Sequence, residues 1–157
     1  MMFSRRISKL TPHPRSNRRG GAMIELAIAL PLLILVSIGV MDFGRVYFTS
    51  VAVSNAARAG AEWGAVTGFY TQTTNQQDFA KLDGAEAGAI TVVSSWECRC
   101  PGAGVVACNS TLDCGAGYGP PAVYVTATAS KTVAMLLGYP GIAPTVSISR
   151  TATFRAQ

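Results

Sequence analysis

Charge is scarce in this chain. Only 13% of its 157 residues are Asp, Glu, Lys or Arg, against 49% hydrophobic. That balance is too apolar for a disordered segment, and the length leaves room for one small domain at most. Acids are missing altogether from residues 1 to 20, which hold six Arg or Lys; the other 137 residues hold seven basic and eight acidic ones, net −1. The formal charge of +5 is therefore a basic head on a near-neutral body. A nucleic-acid-binding domain needs basic residues spread over a folded surface, so nucleic acid is not an expected partner. Histidine occurs once, as His13. No phosphate-cradling glycine loop, zinc-protease helix motif or dinucleotide fingerprint is present, which removes the usual enzyme signatures. Proline is absent between Leu32 and Cys100, so nothing in that stretch obliges a helix to stop.

What is there begins with an apolar run. Leu26 to Met41 is uncharged throughout, and extending back to Gly21 adds one interruption, Glu25. About twenty helical residues cover a hydrocarbon core of ~30 Å, so this segment is expected to span a membrane once. Arg5, Arg6, Lys9, Arg15, Arg18 and Arg19 precede it, whereas Asp42 and Arg45 roughly cancel beyond it. The positive-inside rule then places the N-terminus in the cytoplasm and residues 46 to 157 outside. A cleaved secretory signal has the same order of features, but this run is longer than a usual signal core, and Met41 to Tyr47 offers no small-x-small cleavage site. Pro31, within the span, removes one helical hydrogen bond.

Glu25 is the anomaly. A carboxylate within an apolar helix costs about 2.5–3.5 kcal/mol at the bilayer centre, and less near the headgroups. It stands in Arg18-Arg19-Gly20-Gly21-Ala22-Met23-Ile24-Glu25. A cut between Gly20 and Gly21 would give Gly21 a new α-ammonium and make Glu25 the fifth residue, able to pair with the ammonium of a neighbouring subunit. A cut after Gly21 would make it the fourth. The stretch resembles a class III signal of prepilin type, and residues 19 to 64 are similar to the TadE-like family of tight-adherence pilus proteins. The resemblance rests on the Gly-Gly pair, Glu25 with Leu26, the apolar run with its internal proline, Gly39, Asp42-Phe43-Gly44, and the Asn-Ala-Ala-Arg-Ala-Gly-Ala of residues 55 to 61. It implies a minor pilin or pseudopilin of a Flp-type (type IV-like) pilus. Such a protein is trimmed by a prepilin peptidase and partnered by other pilins and pilus assembly platform proteins. Gly20 would be the last leader residue and Glu25 the acidic position of the signal. Many pilins carry an aromatic residue where Leu26 stands. His13 would leave with the leader. The implied location is the bacterial inner membrane, with the C-terminal domain in the periplasm or incorporated in an extracellular pilus.

The expected fold is α+β and pilin-like, in three parts: a cytoplasmic basic leader (1–20), a transmembrane and stalk helix (21–66) and an extracytoplasmic α+β domain (67–157). The helix would be roughly 69 Å long at 1.5 Å per residue. Its outer half carries Ala52, Ala56, Gly60 and Gly64 in one row, with Ala57, Ala61 and Ala65 beside it. Residues four apart share a face, so these rows form a shallow groove for close helix packing, against another subunit or against the chain's own outer domain. Each glycine costs about 0.8–1 kcal/mol of helix propensity, which close contact would offset. Arg58 and Glu62 are spaced as an exposed i, i+4 pair.

In the outer domain, Thr74 and Gln77 have capping-box spacing ahead of a short helix from about Asp78 to Ala89. Strand signals follow at Ile90 to Glu97, Ala122 to Ser130 and Thr145 to Phe154. The last alternates, with Val146, Ile148, Ala152 and Phe154 on one face, which suits a small antiparallel sheet covered on one side. Cys98, Cys100, Cys108 and Cys114 form C-x-C-x7-C-x5-C in a Gly- and Pro-rich loop. In an oxidising compartment this reads as two disulfides. Pairing Cys98 with Cys100 is disfavoured by geometry, leaving 98–108 with 100–114, or 98–114 with 100–108. The spacing does not suit a four-thiolate zinc site, and no metal or cofactor is expected. Asp83 and Glu86 share an expected helix face and read as solvated, and Ser130 beside Lys131 would point to opposite faces of a strand, which disfavours a nucleophile pair. Phe69, Tyr70, Tyr118 and Tyr139 are candidates for a surface-binding patch or for packing. The rival reading is an unprocessed, membrane-anchored periplasmic binding or adhesion module; an enzyme is not expected.

Overall fold

The structure, a computed structural model, describes residues 19–108, 113–115, 117–138, 141 and 143–156. The architecture is α+β: a long helix α1 (Arg19–Thr67), a short helix α2 (Thr73–Asp83), a 3-10 turn (Ala85–Ala87) and four strands, β1 (Thr91–Cys100), β2 (Gly104–Val106), β3 (Ala122–Ala134) and β4 (Thr145–Arg155). The chain divides into two compact units, residues 1–37 and 38–157.

Of the first unit, the described part is helical throughout. Pro31 lies inside the helix, and Ser37 Oγ donates to the Leu33 carbonyl at 2.8 Å. The apolar stretch is long enough to cross a membrane and none of it is buried against protein. Such a surface is suited to an apolar surround.

The second unit holds α1 from Ile38 onward, α2 and the sheet. Helix α1 ends where Gly68 takes φ +72°, a left-handed conformation that glycine adopts without strain, while Thr67 Oγ1 donates to the Trp63 carbonyl at 2.6 Å. The sheet order is β2-β1-β3-β4, antiparallel throughout. Val92 faces Ala129, Ser94 faces Ala127 and Ala152 follows in the same row. These residues, with Val125, Val133 and Ile148, form the sheet's covered face, and Val53, Ala56, Ala57 and Ala80 of the helices pack into the same core. Eight of the sixteen buried hydrophobic residues among those described are alanine, so the layers approach closely and the core is thin.

The other face is open and rich in hydroxyls. Thr126 and Thr153 pair at 2.9 Å, Thr128 and Thr151 at 2.9 Å, and Thr132 and Ser147 at 3.4 Å. Such cross-strand pairs stabilise a sheet surface that no second layer covers.

Three expectations need correction. The short helix spans Thr73–Asp83 rather than Asp78 to Ala89, so Thr74 lies inside it, and the residue before it, Gln72, makes no side-chain cap. The helix stops at Gly84, which is buried between Ala56 and Ile90 and leaves no room for a further turn of side chains. Strands β1 and β3 run to Cys100 and Ala134, beyond their expected ends, and β2 carried too short an apolar signal to be read. Arg58 and Glu62 form no ion pair within 4.0 Å among the described residues, where Arg45–Asp42, Lys81–Asp78 and Arg99–Glu97 do. The cation-first order at i, i+4 is the weaker one.

Candidate functional site

Gly20, Gly21 and Glu25 all lie on exposed helix near the start of α1. A Cβ built on Gly20 or Gly21 meets nothing within 4 Å. The fold therefore makes no demand for glycine at either position. Glu25 makes no hydrogen bond or ion pair among the described residues, and its neighbours Ile24 and Leu26 are exposed. Residues 1–18, which include His13 and most of the expected leader, lie outside the described residues.

The small-residue face of α1 is occupied by the chain itself. Ala52, Ala56, Gly60 and Gly64 are buried, as are Ala57, Ala61 and Ala65. A Cβ on Gly60 would stand 2.9 Å from the Ala80 Cβ and 3.3 Å from that of Ala127. One on Gly64 would stand 2.7 Å from Cδ and Nε2 of Gln76 and 2.9 Å from Val125 Cγ1. Of the two partners the sequence leaves open for this groove, α2 and β3 are the ones present. Gln76 is 0% exposed and donates through Nε2 to the Tyr70 carbonyl at 2.9 Å, which holds the turn after α1.

Asp42, the first acid after the apolar run, is only 3% exposed. Its Oδ1 accepts the Leu136 amide N–H at 2.9 Å, tying the β3–β4 connection to α1, and stands 3.9 Å from Arg45 Nη1. Its Oδ2 has no partner among the described residues. Sequence reading gave Asp42 no such role; its position directly after the apolar run was the available signal. Two further ties were illegible. Arg150 donates to Ser50 Oγ at 2.9 Å, and Lys131 Nζ donates to the carbonyls of Ala87 and Ala89, the latter at 3.1 Å.

At the other end of β1 two disulfides pin the irregular loop, Cys98 to Cys108 and Cys100 to Cys114. Cys98 is buried opposite Val106 in the sheet register. Among the described residues no three His, Cys, Asp or Glu side chains gather in a way that could hold a metal ion. Asp83 ends α2 and Glu86 sits in the separate 3-10 turn, so the helix face expected to carry both does not exist. Lys131 lies on the covered side of β3, bonded to carbonyls, while Ser130 pairs in register with Thr91 and Ser149 on the open side. Tyr70 packs against Trp96 with ring centroids 5.4 Å apart. Phe69 and Tyr118 are exposed. Tyr139 lies outside the described residues.

Comparison with known proteins gives one family match. Residues 20–62 match the model of the family described as TadE-like protein, so the resemblance read from residues 19 to 64 holds for this segment. That family is a structural, pilus-associated one, and the apolar helix within the match fits a membrane-anchored protein. No curated protein and no solved structure matches the chain.

Proposed function

We propose that this TadE-like chain is a minor pilin or pseudopilin of a tight-adherence pilus. It is trimmed by a prepilin peptidase between Gly20 and Gly21, and is held in the inner membrane with residues 67–157 in the periplasm until assembly. The observation that carries the reading is a contrast within one helix. Gly60 and Gly64 are glycines because α2 and β3 leave no space for a Cβ, whereas Gly20 and Gly21 stand in open space, as Gly44 does, but adjacent to one another and directly after the arginine pair. Glycines that the fold does not use are suited to a partner that must approach the backbone closely, as a peptidase does. Glu25 supports the same reading: an exposed carboxylate in an apolar helix is costly in a membrane unless a cation from another chain meets it, and a freed Gly21 ammonium is such a cation. Phe43, Tyr47 and Val51 are exposed four residues apart on α1, an apolar row suited to lateral packing with other pilins and with the assembly platform.

The test is intact mass of the protein from its native membrane, combined with a Glu25→Ala variant. The mature chain is expected to begin at Gly21, and Glu25→Ala is expected to enter the membrane normally while pilus number falls. A chain retaining residues 1 to 20 in the assembled state would favour the unprocessed binding module, and unchanged piliation in the variant would remove the role given to Glu25.

A further inference from the structure

The open face of the sheet ends in a cleft of about 390 Å³, lined by Arg99, Tyr124 and Arg155 of the strands and by Pro101, Tyr118 and Pro120 of the connections. Tyr124 stands in register between Glu97 on one side and Arg155 on the other. Strand alternation therefore places all three, and Arg99 two residues on, on the face turned away from the helices. Arg99 Nε donates to Glu97 Oε1 at 2.7 Å, and its guanidinium lies over the Tyr124 ring, 5.7 Å from the centroid. With Nη2 also against Glu97 Oε1, these contacts fix its plane and occupy its Nε/Nη2 edge; among the described residues Nη1 has no hydrogen-bond partner. Arg155 has no acid within 4.0 Å among the described residues. With Glu97 counted against the two arginines, the cleft is cationic by one charge. Guanidinium forks match the two oxygens of a carboxylate better than a point charge does.

The rest of the surface narrows the ligand. Tyr118 is 62% exposed, a flat ring with a hydroxyl at its edge beside the cleft. The next row of the sheet is Ser95, Thr126 and Thr153, and the one after it Val93, Thr128 and Thr151. Rows on one face repeat at about 6.8 Å along the strands. Backbone hydrogen bonds lie in the plane of the sheet, and β3 in these rows is paired on both sides, to β1 and to β4, so a peptide laid across this face finds no backbone partner on it. A fitting ligand carries a carboxylate, flat C–H surfaces and many hydroxyls along an extended chain. We propose that this cleft and the adjoining threonine rows bind an acidic polysaccharide built of uronic-acid sugars. A carboxylate sits on Arg155 and Arg99, a sugar face rests on Tyr118, and chain hydroxyls meet Thr126 and Thr153. The proposal stands apart from the pilus assignment, since it uses only residues 93–155.

Calorimetry of the full chain in detergent micelles tests it, with hexagalacturonate as probe, the neutral galactose hexamer as its uncharged counterpart and hexaglutamate as an acidic peptide. Hexagalacturonate is expected to bind at least tenfold more tightly than either control. Arg155→Gln, at an exposed strand end, is expected to weaken it about tenfold at an unchanged melting temperature, and Tyr118→Ala several-fold. Arg150→Gln, on the opposite sheet face, is expected to leave it unaltered. Absence of hexagalacturonate binding, equal binding of the neutral hexamer, equal binding of hexaglutamate, or an Arg150→Gln effect as large as that of Arg155→Gln would each overturn the proposal.

Discussion

Gly64→Ala isolates the close packing of α1 on the outer domain. The added methyl would stand 2.7 Å from two atoms of the Gln76 side chain and 2.9 Å from Val125 Cγ1. Gln76 is fully buried and bonded to the Tyr70 carbonyl, so it yields only by giving up a hydrogen bond worth about 1 kcal/mol. Overpacking of a tight site costs roughly 1–3 kcal/mol, and helix propensity returns about 1 kcal/mol when alanine replaces glycine. The net is about 1–3 kcal/mol of destabilisation. Its middle corresponds to a fall in melting temperature of roughly 4–8 °C for a chain of this size. Gly44→Ala is the control: it lies in the same helix with nothing within 4 Å, and gains propensity without a clash. Thermal melts of the full chain in detergent micelles, followed by circular dichroism, separate the two. A Gln76→Ala background removes two of the three close atoms and leaves Val125 Cγ1, and in it the cost of Gly64→Ala is expected to shrink by about half or more. If Gly64→Ala melts like Gly44→Ala in the native background, the small-residue face is not packed as described.

Asp42→Ala is expected to destabilise the second unit by about 1.5–3 kcal/mol, less whatever the unpartnered Oδ2 costs, because the Leu136 amide loses a charged acceptor. The check is hydrogen exchange: faster exchange at the Leu136 amide in Asp42→Ala, with protection largely kept in Asp42→Asn, which retains an acceptor. Peptide mapping under non-reducing conditions is expected to recover Cys98 with Cys108 and Cys100 with Cys114; recovery of 98–114 and 100–108 would contradict the fold of this loop. Replacing Cys100 and Cys114 by alanine opens a loop of sequence separation 14 and is expected to cost about 3 kcal/mol, read as a drop in denaturation midpoint.

What the sequence made legible was whatever a local pattern encodes. The apolar run and the missing prolines marked α1 to within two residues at its start and one at its end, and the strict alternation from Thr145 onward marked β4 and its covered side. Helix α2 was misplaced because Thr73 to Gln77 has no apolar periodicity. It is helical there because Gln76 and Ala80 are buried against α1, a tertiary cause that propensity does not carry. Strand β2 is three residues long and held beside disulfide-bonded Cys98 and Cys100, so no window of sequence announces it. The contacts of Asp42 with Leu136 and of Arg150 with Ser50 join residues about a hundred positions apart. The cysteine spacing narrowed the pairings to two, and only the placement of β2 beside β1 distinguishes them.

The alanine-rich core explains why the remaining surface looks as it does. A buried methyl contributes little beside a buried leucine, on the scale of about 0.8 kcal/mol per carbon group, so half of this core stabilises by proximity more than by area. The bulky residues of α1 are consequently not spent inside: Phe43, Tyr47 and Val51 stay exposed, available to another helix. The sheet, covered on one side only, needs an outer face that tolerates water yet favours extended backbone. Threonine meets both requirements through its branched carbon and its hydroxyl. One compositional choice, small residues where helix meets sheet, thus leaves two surfaces of opposite character. The apolar helix row suits another helix, and the hydroxyl face ending at Arg155 suits a polar ligand.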